Sequence, residues 1–100
     1  MNEQKIEQKI KDKGLDAPRV TPTKIDDVIV GESYYVFPGT TVTICLLRLE
    51  NGFTVTGESA CASVDNFNQE IGRDIARVNA REKIWGLEGY ALKQRLFDAA

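Results

Sequence analysis

The dipeptide Asn51-Gly52 lies between two apolar, β-branched stretches, and it constrains the fold more than any other feature of the sequence. Asn-Gly favours the positive φ angles of a tight hairpin turn. The flanking stretches, Thr41–Leu49 and Phe53–Ser59, are therefore predicted to be antiparallel strands. An aromatic run over residues 34–37 precedes the turn dipeptide Pro38-Gly39, so three strands are predicted to follow one another as a meander.

Two registers are compatible with the second hairpin. A two-residue loop pairs Glu50 with Phe53, whereas a three-residue loop pairs Leu49 with Phe53. We prefer the second, because a shift of one residue moves every side chain to the other face of the sheet. It gathers four apolar side chains on one face and four polar ones on the other: Leu47, Leu49, Phe53 and Val55, against Arg48, Thr54, Thr56 and Glu58. Cys45 then lies opposite Gly57.

Two short helices are predicted before the strands. The first covers residues 2–13 and ends at Gly14, which supplies the left-handed conformation common after a helix. It carries only two apolar residues, so residues 1–14 are predicted to be a mobile or partner-docked helical arm. A second helix is predicted to begin at Thr21-Pro22, where Thr caps and Pro suits the first turn, and to end at Gly31.

The last third of the chain has apolar residues at spacings of three and four, which predicts one long helix. Ser63 or Asp65 is predicted to cap its start. Gly86 and Gly89 either break this helix or allow another backbone to approach closely. Glu82 and Gly89 interrupt the apolar pattern. The apolar positions are Phe67, Ile71, Ile75, Val78, Trp85, Leu92 and Leu96.

These elements predict an α+β fold: an N-terminal helix, a short helix, a three-stranded antiparallel β-meander, and a long C-terminal helix packed on one sheet face. Residues 15–100 are predicted to form a single α+β domain. One helix covers only one face, so Val42, Ile44 and Leu46 lie on the other, where the short helix or a second copy would cover them. A large uncovered apolar patch indicates an interface. We therefore expect a homo-oligomer, with a dimer favoured.

The sequence contains no histidine, the usual general base and the commonest metal ligand. Its two cysteines are too few for a disulfide framework or a zinc site. Residues Gly57 to Cys61 superficially suggest a nucleophile, with Glu58, Ser59 or Cys61 as the reactive group. However, they lack an activating histidine and the second glycine of a hydrolase elbow. The structural reading is that Gly57 marks a β-bulge. We expect no enzymatic activity, no catalytic residue, no cofactor and no metal.

Charge is unevenly distributed along the chain. Residues 71–97 carry a net charge of +3 and the rest −5, within a total of −2. Arg73, Arg77 and Arg81 recur at every fourth residue of the predicted last helix. They form either a solvated helix face with acidic residues at neighbouring helical positions, or a site for an anionic partner such as a nucleotide. Duplex-DNA binders are normally basic overall, so nucleic acid is not an expected partner. No apolar run is long enough to span a membrane.

A second candidate for partner binding is the aromatic segment from Trp85 to Tyr90, because Trp and Tyr are enriched at interface hot spots. An equally simple reading is that Trp85 covers one end of the sheet. Together with the arginines, the candidate ligand- or partner-binding residues are Arg73, Arg77, Arg81, Glu58, Trp85, Glu88 and Tyr90.

Several unusual segments resemble one family of small phage proteins. They are Arg19-Val20-Thr21-Pro22, the run NGFTVTGESACAS over 51–63, and Lys83-Ile84-Trp85-x-Leu87-Glu88-Gly89-Tyr90. The family is named for gene product 49 of coliphage N-four and gene product 66 of Shigella phage Sf-six, and the resemblance covers roughly residues 15–97. It implies an origin in a tailed phage or prophage and action in the host bacterial cytoplasm. It carries over no catalytic or binding residues.

Two functions are therefore expected in order of preference. The first is a small, non-enzymatic phage accessory protein that binds a host or phage protein. The alternative is an oligomeric module that binds an anionic small molecule or nucleotide through the basic C-terminal helix.

Overall fold

The computed structural model describes residues 2–100. The secondary-structure elements are helices α1 (Glu3–Asp12) and α2 (Pro22–Asp27), strands β1 (Ile29–Val36), β2 (Thr43–Leu49) and β3 (Thr54–Ser59), a 3-10 turn at Val64–Asn66, and helix α3 (Gln69–Ala99). The strands form one antiparallel sheet in the order β1-β2-β3, and α3 packs on one of its faces. The predicted α+β fold is confirmed.

The β2–β3 hairpin adopts the preferred register. Cys45 lies opposite Gly57, and the amide of Leu49 donates to the carbonyl of Phe53 at 2.8 Å. Gly52 has a φ of +89°, which is a conformation that glycine adopts without steric cost. The three-residue loop therefore sets which residues of β2 and β3 face α3.

The boundary between α2 and β1 differs from the prediction. The helix ends at Asp27, and Gly31 lies within β1 instead of ending the helix. Ile29 pairs with Leu49 but Gly31 pairs with Arg48, so the register shifts between them. A side chain at Gly31 would collide with the guanidinium of Arg48. The guanidinium of Arg48 thus lies directly over Gly31, and a side chain there would require Arg48 to adopt another position.

The start of α3 also differs from the prediction. Neither Ser63 nor Asp65 caps it; the side chain of Asn68 accepts the amide of Ile71 at 3.0 Å. The helix then runs without a break through Gly86 and Gly89 to Ala99. Its 31 residues correspond to a length of about 46 Å, whereas the strands extend for roughly half of that.

The face of α3 that contacts the sheet is made of small residues as far as Ala80, followed by Ile84. Gly72, Ala76, Ala80 and Ile84 are its buried positions, each four residues after the last. A Cβ atom on Gly57 would collide with the backbone of Ala76 and of Ala80. Helix and sheet therefore meet backbone to backbone at Gly57. The β-bulge predicted there is wrong, because Gly57 continues the regular pairing of β3.

The core lies between the sheet and this small-residue face. It contains Ile25, Val28, Cys45, Leu47, Leu49, Val55, Ala76, Ala80 and Ile84. Since α2 contributes to this core, it lies on the α3 side of the sheet and does not cover the opposite face.

A second stripe on α3 lies outside the sheet-facing positions, although Trp85 within it packs against the edge of the core. It follows the alternating spacing of three and four noted in the sequence, and Ile71 and Val78 within it are each 58% exposed. We call it the outward stripe: Ile71, Ile75, Val78, Glu82, Trp85, Gly89, Leu92 and Leu96. The large apolar side chains of α3 are thus mostly left for solvent or a partner, and the small ones face the sheet.

Candidate functional site

Arg81 joins three helices through one set of polar contacts, which we call the Arg81 cluster. Its guanidinium lies 2.6 Å from Glu3 of α1 and 2.8 Å from Asp26 of α2, and it donates to the carbonyl of Pro22 at 3.3 Å. The indole of Trp85 also donates to Glu3, at 3.1 Å. The hydrogen bond from Arg81 lowers the pKa of Glu3 below its usual value, and the same carboxylates raise the pKa of Arg81.

Arg77 and Arg73 contact β1 instead. Arg77 binds Glu32 at 2.7 Å, and this hydrogen bond lowers the pKa of Glu32. Tyr34 donates to Glu32 at 3.2 Å, and burial is the main reason that its own pKa rises to about 12. The guanidinium carbon of Arg73 lies 5.9 Å from the centre of the Tyr34 ring, within the range of a cation–π contact.

The predicted basic stripe is therefore a set of side chains that tie α3 to the rest of the fold. The carboxylates that bind Arg77 and Arg81 come from β1, α1 and α2, and not from acidic neighbours on the same helix. Helical spacing predicts contacts along one helix only, so the sequence pattern gave no signal for these partners. Within residues 2–100, Arg73 has no carboxylate partner.

The seven candidate residues lie in different parts of the molecule. Arg73 and Arg77 lie beside β1, and Arg81 and Trp85 belong to the Arg81 cluster. Glu88 borders a groove of about 380 Å³ between α3 and the β2–β3 loop. Tyr90 is 74% exposed on the part of α3 that extends beyond the sheet. Glu58 projects from β3 on the face that α3 does not cover.

The segment from Gly57 to Cys61 makes structural contacts. The hydroxyl of Ser59 donates to the carbonyl of Gly72 at 2.7 Å, and the thiol of Cys61 donates to the carbonyl of Ser63 at 3.1 Å. Thr41 donates to the carbonyl of Cys61 at 2.6 Å and accepts its amide at 3.1 Å. These contacts connect the end of β3 to the residue Thr41 before β2 and to the start of α3.

The face of the sheet opposite α3 is uncovered, as predicted. Its apolar residues form what we call the open sheet face: Tyr35, Phe37, Val42, Ile44 and Leu46. Tyr35 is 55% exposed and contacts Phe37 edge to face, with ring centres 4.9 Å apart. Polar side chains border the patch: Ser33, Arg48, Thr54, Thr56 and Glu58.

Two kinds of site are not found in the described part of the chain. Residues 2–100 contain no group of three or more His, Cys, Asp or Glu side chains placed to hold a metal ion. No helix among these residues is both long and apolar enough to cross a bilayer.

The model of the Phage protein (N4 Gp49/phage Sf6 gene 66) family matches residues 20–96. The chain belongs to this family. The match begins just before α2 and ends near the end of α3, so it includes the sheet, the open sheet face and the outward stripe. It leaves α1 outside, although α1 supplies Glu3 to the Arg81 cluster. No curated protein and no solved structure shows significant similarity to the chain.

We expect the docking of α1 to weaken in acid. The folded-state pKa of Glu3 lies below its ordinary value of 4.5, so its ionised form stabilises the fold above that pH. This contribution is lost as the pH falls through the lowered folded-state pKa. Trp85 is the only tryptophan and contacts Glu3, so its fluorescence should move towards that of exposed tryptophan between about pH 5 and pH 3.

The matched control is Glu3→Gln, which cannot ionise. Its Trp85 emission should change much less over the same pH range. An unchanged wild-type emission in acid would show that Glu3 does not hold α1 against Trp85.

Proposed function

We propose that this phage protein acts by binding another protein in the host cell, without catalysing a reaction, and that the open sheet face is the binding surface. The observation that carries the proposal is an apolar sheet face that no other element covers, in a chain with its core on the other side of the sheet. Tyr35 and Phe37 are exposed on this face, and its β2 side chains are half-buried. Contiguous exposed apolar surface of this kind indicates an interaction site in soluble proteins.

The composition of the open sheet face suits a protein partner. Tyr35 and Phe37 supply rigid aromatic area at one end, and the β2 side chains Ile44 and Leu46 continue the apolar surface. A polar border surrounds this centre, as in protein interfaces that have an apolar core and a hydrated rim. The surface is formed by a sheet and not by a cleft, whereas small ligands are usually held in concave sites.

The charges of the border specify the partner further. Glu58 lies on the β3 side of the patch, and Arg48 lies near its other end, where it donates to Ser33 at 3.0 Å. A fitting partner presents an apolar patch with a basic group placed towards Glu58. Such pairs at a rim affect mainly the association rate and orientation, and the apolar centre provides the affinity.

The chemistry of the remaining candidates supports binding over catalysis. The sequence lacks histidine, and Ser59 and Cys61 donate to backbone carbonyls. The anionic-ligand alternative is less favoured, because Arg77 and Arg81 already bind carboxylates. A nucleotide would have to displace those groups.

Site-specific photo-crosslinking in infected host cells tests the proposal. A benzophenone amino acid replaces Tyr35 on the open sheet face, and a matched probe replaces Tyr90, which is also an exposed tyrosine. We expect the Tyr35 probe to form an adduct with one protein other than this chain, and the Tyr90 probe not to form it. Adducts from Tyr90 alone, or adducts only between copies of this chain, would contradict the proposal.

The captured protein is then purified and titrated with this chain. Leu46→Asp should raise the Kd at least about tenfold, since it places an unpaired charge in the apolar centre of the interface. The control Gln94→Asp, at an exposed position of α3, should leave the Kd unchanged. Equal Kd values for both variants would exclude the open sheet face as the binding surface.

A further inference from the structure

We propose that the outward stripe of α3 pairs with the same stripe of a second copy of this chain, in an antiparallel helix pair. The stripe has the alternating spacing of three and four residues that characterises coiled-coil seams, and it continues from Ile71 to Leu96. Such a pattern maintained over three to four heptads is typical of helices that pack against another helix. In the single chain its large side chains are exposed at Ile71, Ile75, Val78 and Leu96. Trp85 is the exception, because it packs against the edge of the core and binds Glu3.

The length of α3 favours a second copy as the occupant. The last fully buried residue of the helix is Ile84. Residues 86–99 continue the helix as an overhang, and one side of it borders the groove at the β2–β3 loop. The longest dimension of the molecule reaches 53 Å as a result. In an antiparallel pair, the overhang of each copy lies along the first half of the partner's α3. Both exposed halves of the stripe are covered by one symmetric contact.

The side chains match in this arrangement. Centring the pair between Glu82 and Trp85 places Ile71 against Leu96 of the second copy, and Ile75 against Leu92. Val78 then lies against Gly89, so a branched side chain meets a position with no side chain of its own. Each of these three layers occurs twice, because the two-fold symmetry of the antiparallel pair repeats it. The two central layers combine Glu82 with the partly exposed ring of Trp85, whose indole N–H remains bound to Glu3 of its own chain. A polar residue at such a position fixes register at some cost in stability.

The charges beside the stripe are complementary in the same register. Asp74 and Arg95 occupy equivalent flanking positions at opposite ends of the helix. Neither has an ion-pair partner among residues 2–100. The antiparallel register brings Asp74 of each copy beside Arg95 of the other.

A parallel pair fits less well. It sets Glu82 against Glu82, where like charges repel, and Gly89 against Gly89, where two missing side chains leave a void. The antiparallel orientation avoids both. This contact is separate from the open sheet face, so the helix pair and the binding of another protein succeed or fail independently.

Sedimentation equilibrium on the full wild-type chain and three variants of it tests the proposal. We expect the wild-type chain to be dimeric at micromolar concentration. Ile75→Lys should raise the dimer Kd at least about a hundredfold by placing a charge in the seam. Glu82→Leu should lower the Kd by about tenfold, because an apolar residue replaces the polar one. Gln94→Lys, on the opposite side of the overhang, should leave the Kd unchanged.

The orientation is tested by exchanging charges. Asp74→Lys alone should weaken the dimer by a few-fold, and adding Arg95→Glu should restore it, since opposite charges then meet again. Circular dichroism confirms that each variant is folded. A monomeric wild-type chain would overturn the proposal, and so would a dimer that Ile75→Lys and Glu82→Leu leave unchanged. Failure of the double exchange to restore the dimer would overturn the antiparallel register.

Discussion

Replacing Gly57 with alanine is expected to lower the free energy of unfolding by about 3 kcal/mol, because overpacking of a tight contact costs this much at its upper range. The added methyl group would collide with the backbone of Ala76 and of Ala80. Backbone atoms cannot move aside as a flexible side chain can, so α3 would have to lift from the sheet. Urea unfolding followed by circular dichroism measures the change.

Gly86→Ala is the matched control for this substitution. Gly86 also lies within a regular element, but a Cβ atom there meets nothing within 4 Å. Alanine favours the helix over glycine by about 1 kcal/mol, so the same methyl group should stabilise the protein. Opposite signs for the two substitutions are expected. An unfolding midpoint for Gly57→Ala equal to that of the wild type would show that helix and sheet do not meet so closely.

Replacing Arg81 with methionine is expected to release α1 and to lower the free energy of unfolding by about 2 kcal/mol, since hydrogen bonds to charged groups are lost. The side chain of Arg81 is only 14% exposed, and it contacts Glu3, Asp26 and the carbonyl of Pro22. Methionine keeps the length of the apolar stem but not the charge. Amide hydrogen exchange should increase over residues 3–12, and the acid dependence of Trp85 fluorescence should disappear.

Arg73→Met provides the comparison for that result. Arg73 lies on the same helix, but it contacts Tyr34 and Gln69 in place of a carboxylate. Its loss should change the free energy of unfolding by less than about 1 kcal/mol, as for most exposed charges. If the amide hydrogens of α1 exchange equally slowly in both variants, the Arg81 cluster does not hold this helix in place.

The sheet could be predicted closely because its determinants are local. Asn51-Gly52 specifies a turn, and alternation on each side specifies which residues share a face. The beginning of β1 could not be predicted, because what determines it is not local. Gly31 is a helix-ending residue by local rules, but it lies in β1 opposite Arg48, where the register of the sheet shifts. No local pattern reveals this pairing.

The face of α3 that packs on the sheet shows a second limit of prediction from sequence. Periodicity predicted a helix correctly, yet it cannot say which of two stripes faces the sheet. Hydrophobicity favours the stripe with Ile71, Ile75 and Val78, whereas the structure buries Gly72, Ala76 and Ala80. The decisive factor is Gly57, because a strand without a side chain at that point accepts a helix face without large side chains. This match involves residues distant in sequence.

The same contrast holds for the two surfaces that the sequence singled out. The uncovered sheet face followed from counting helices and faces. The arginine stripe was recognised as a pattern, but its carboxylate partners Glu3, Asp26 and Glu32 lie far away in the sequence. Sequence spacing identifies groups on one element, and only the tertiary structure shows which charges are already compensated.

Because α3 contacts the sheet closely at Gly57, a small tilt of the helix at this contact displaces its C-terminal end by a larger distance. The helix is held against the sheet near Ala76 and Ala80, and Ala99 lies 19 residues beyond Ala80, or about 28 Å along the helix axis. A tilt of about 10° at the contact would move the end of the helix by about 5 Å, which is as much as one helical turn. Small changes beneath α3 would therefore be magnified at its far end, where the position of Leu92 and Leu96 is set.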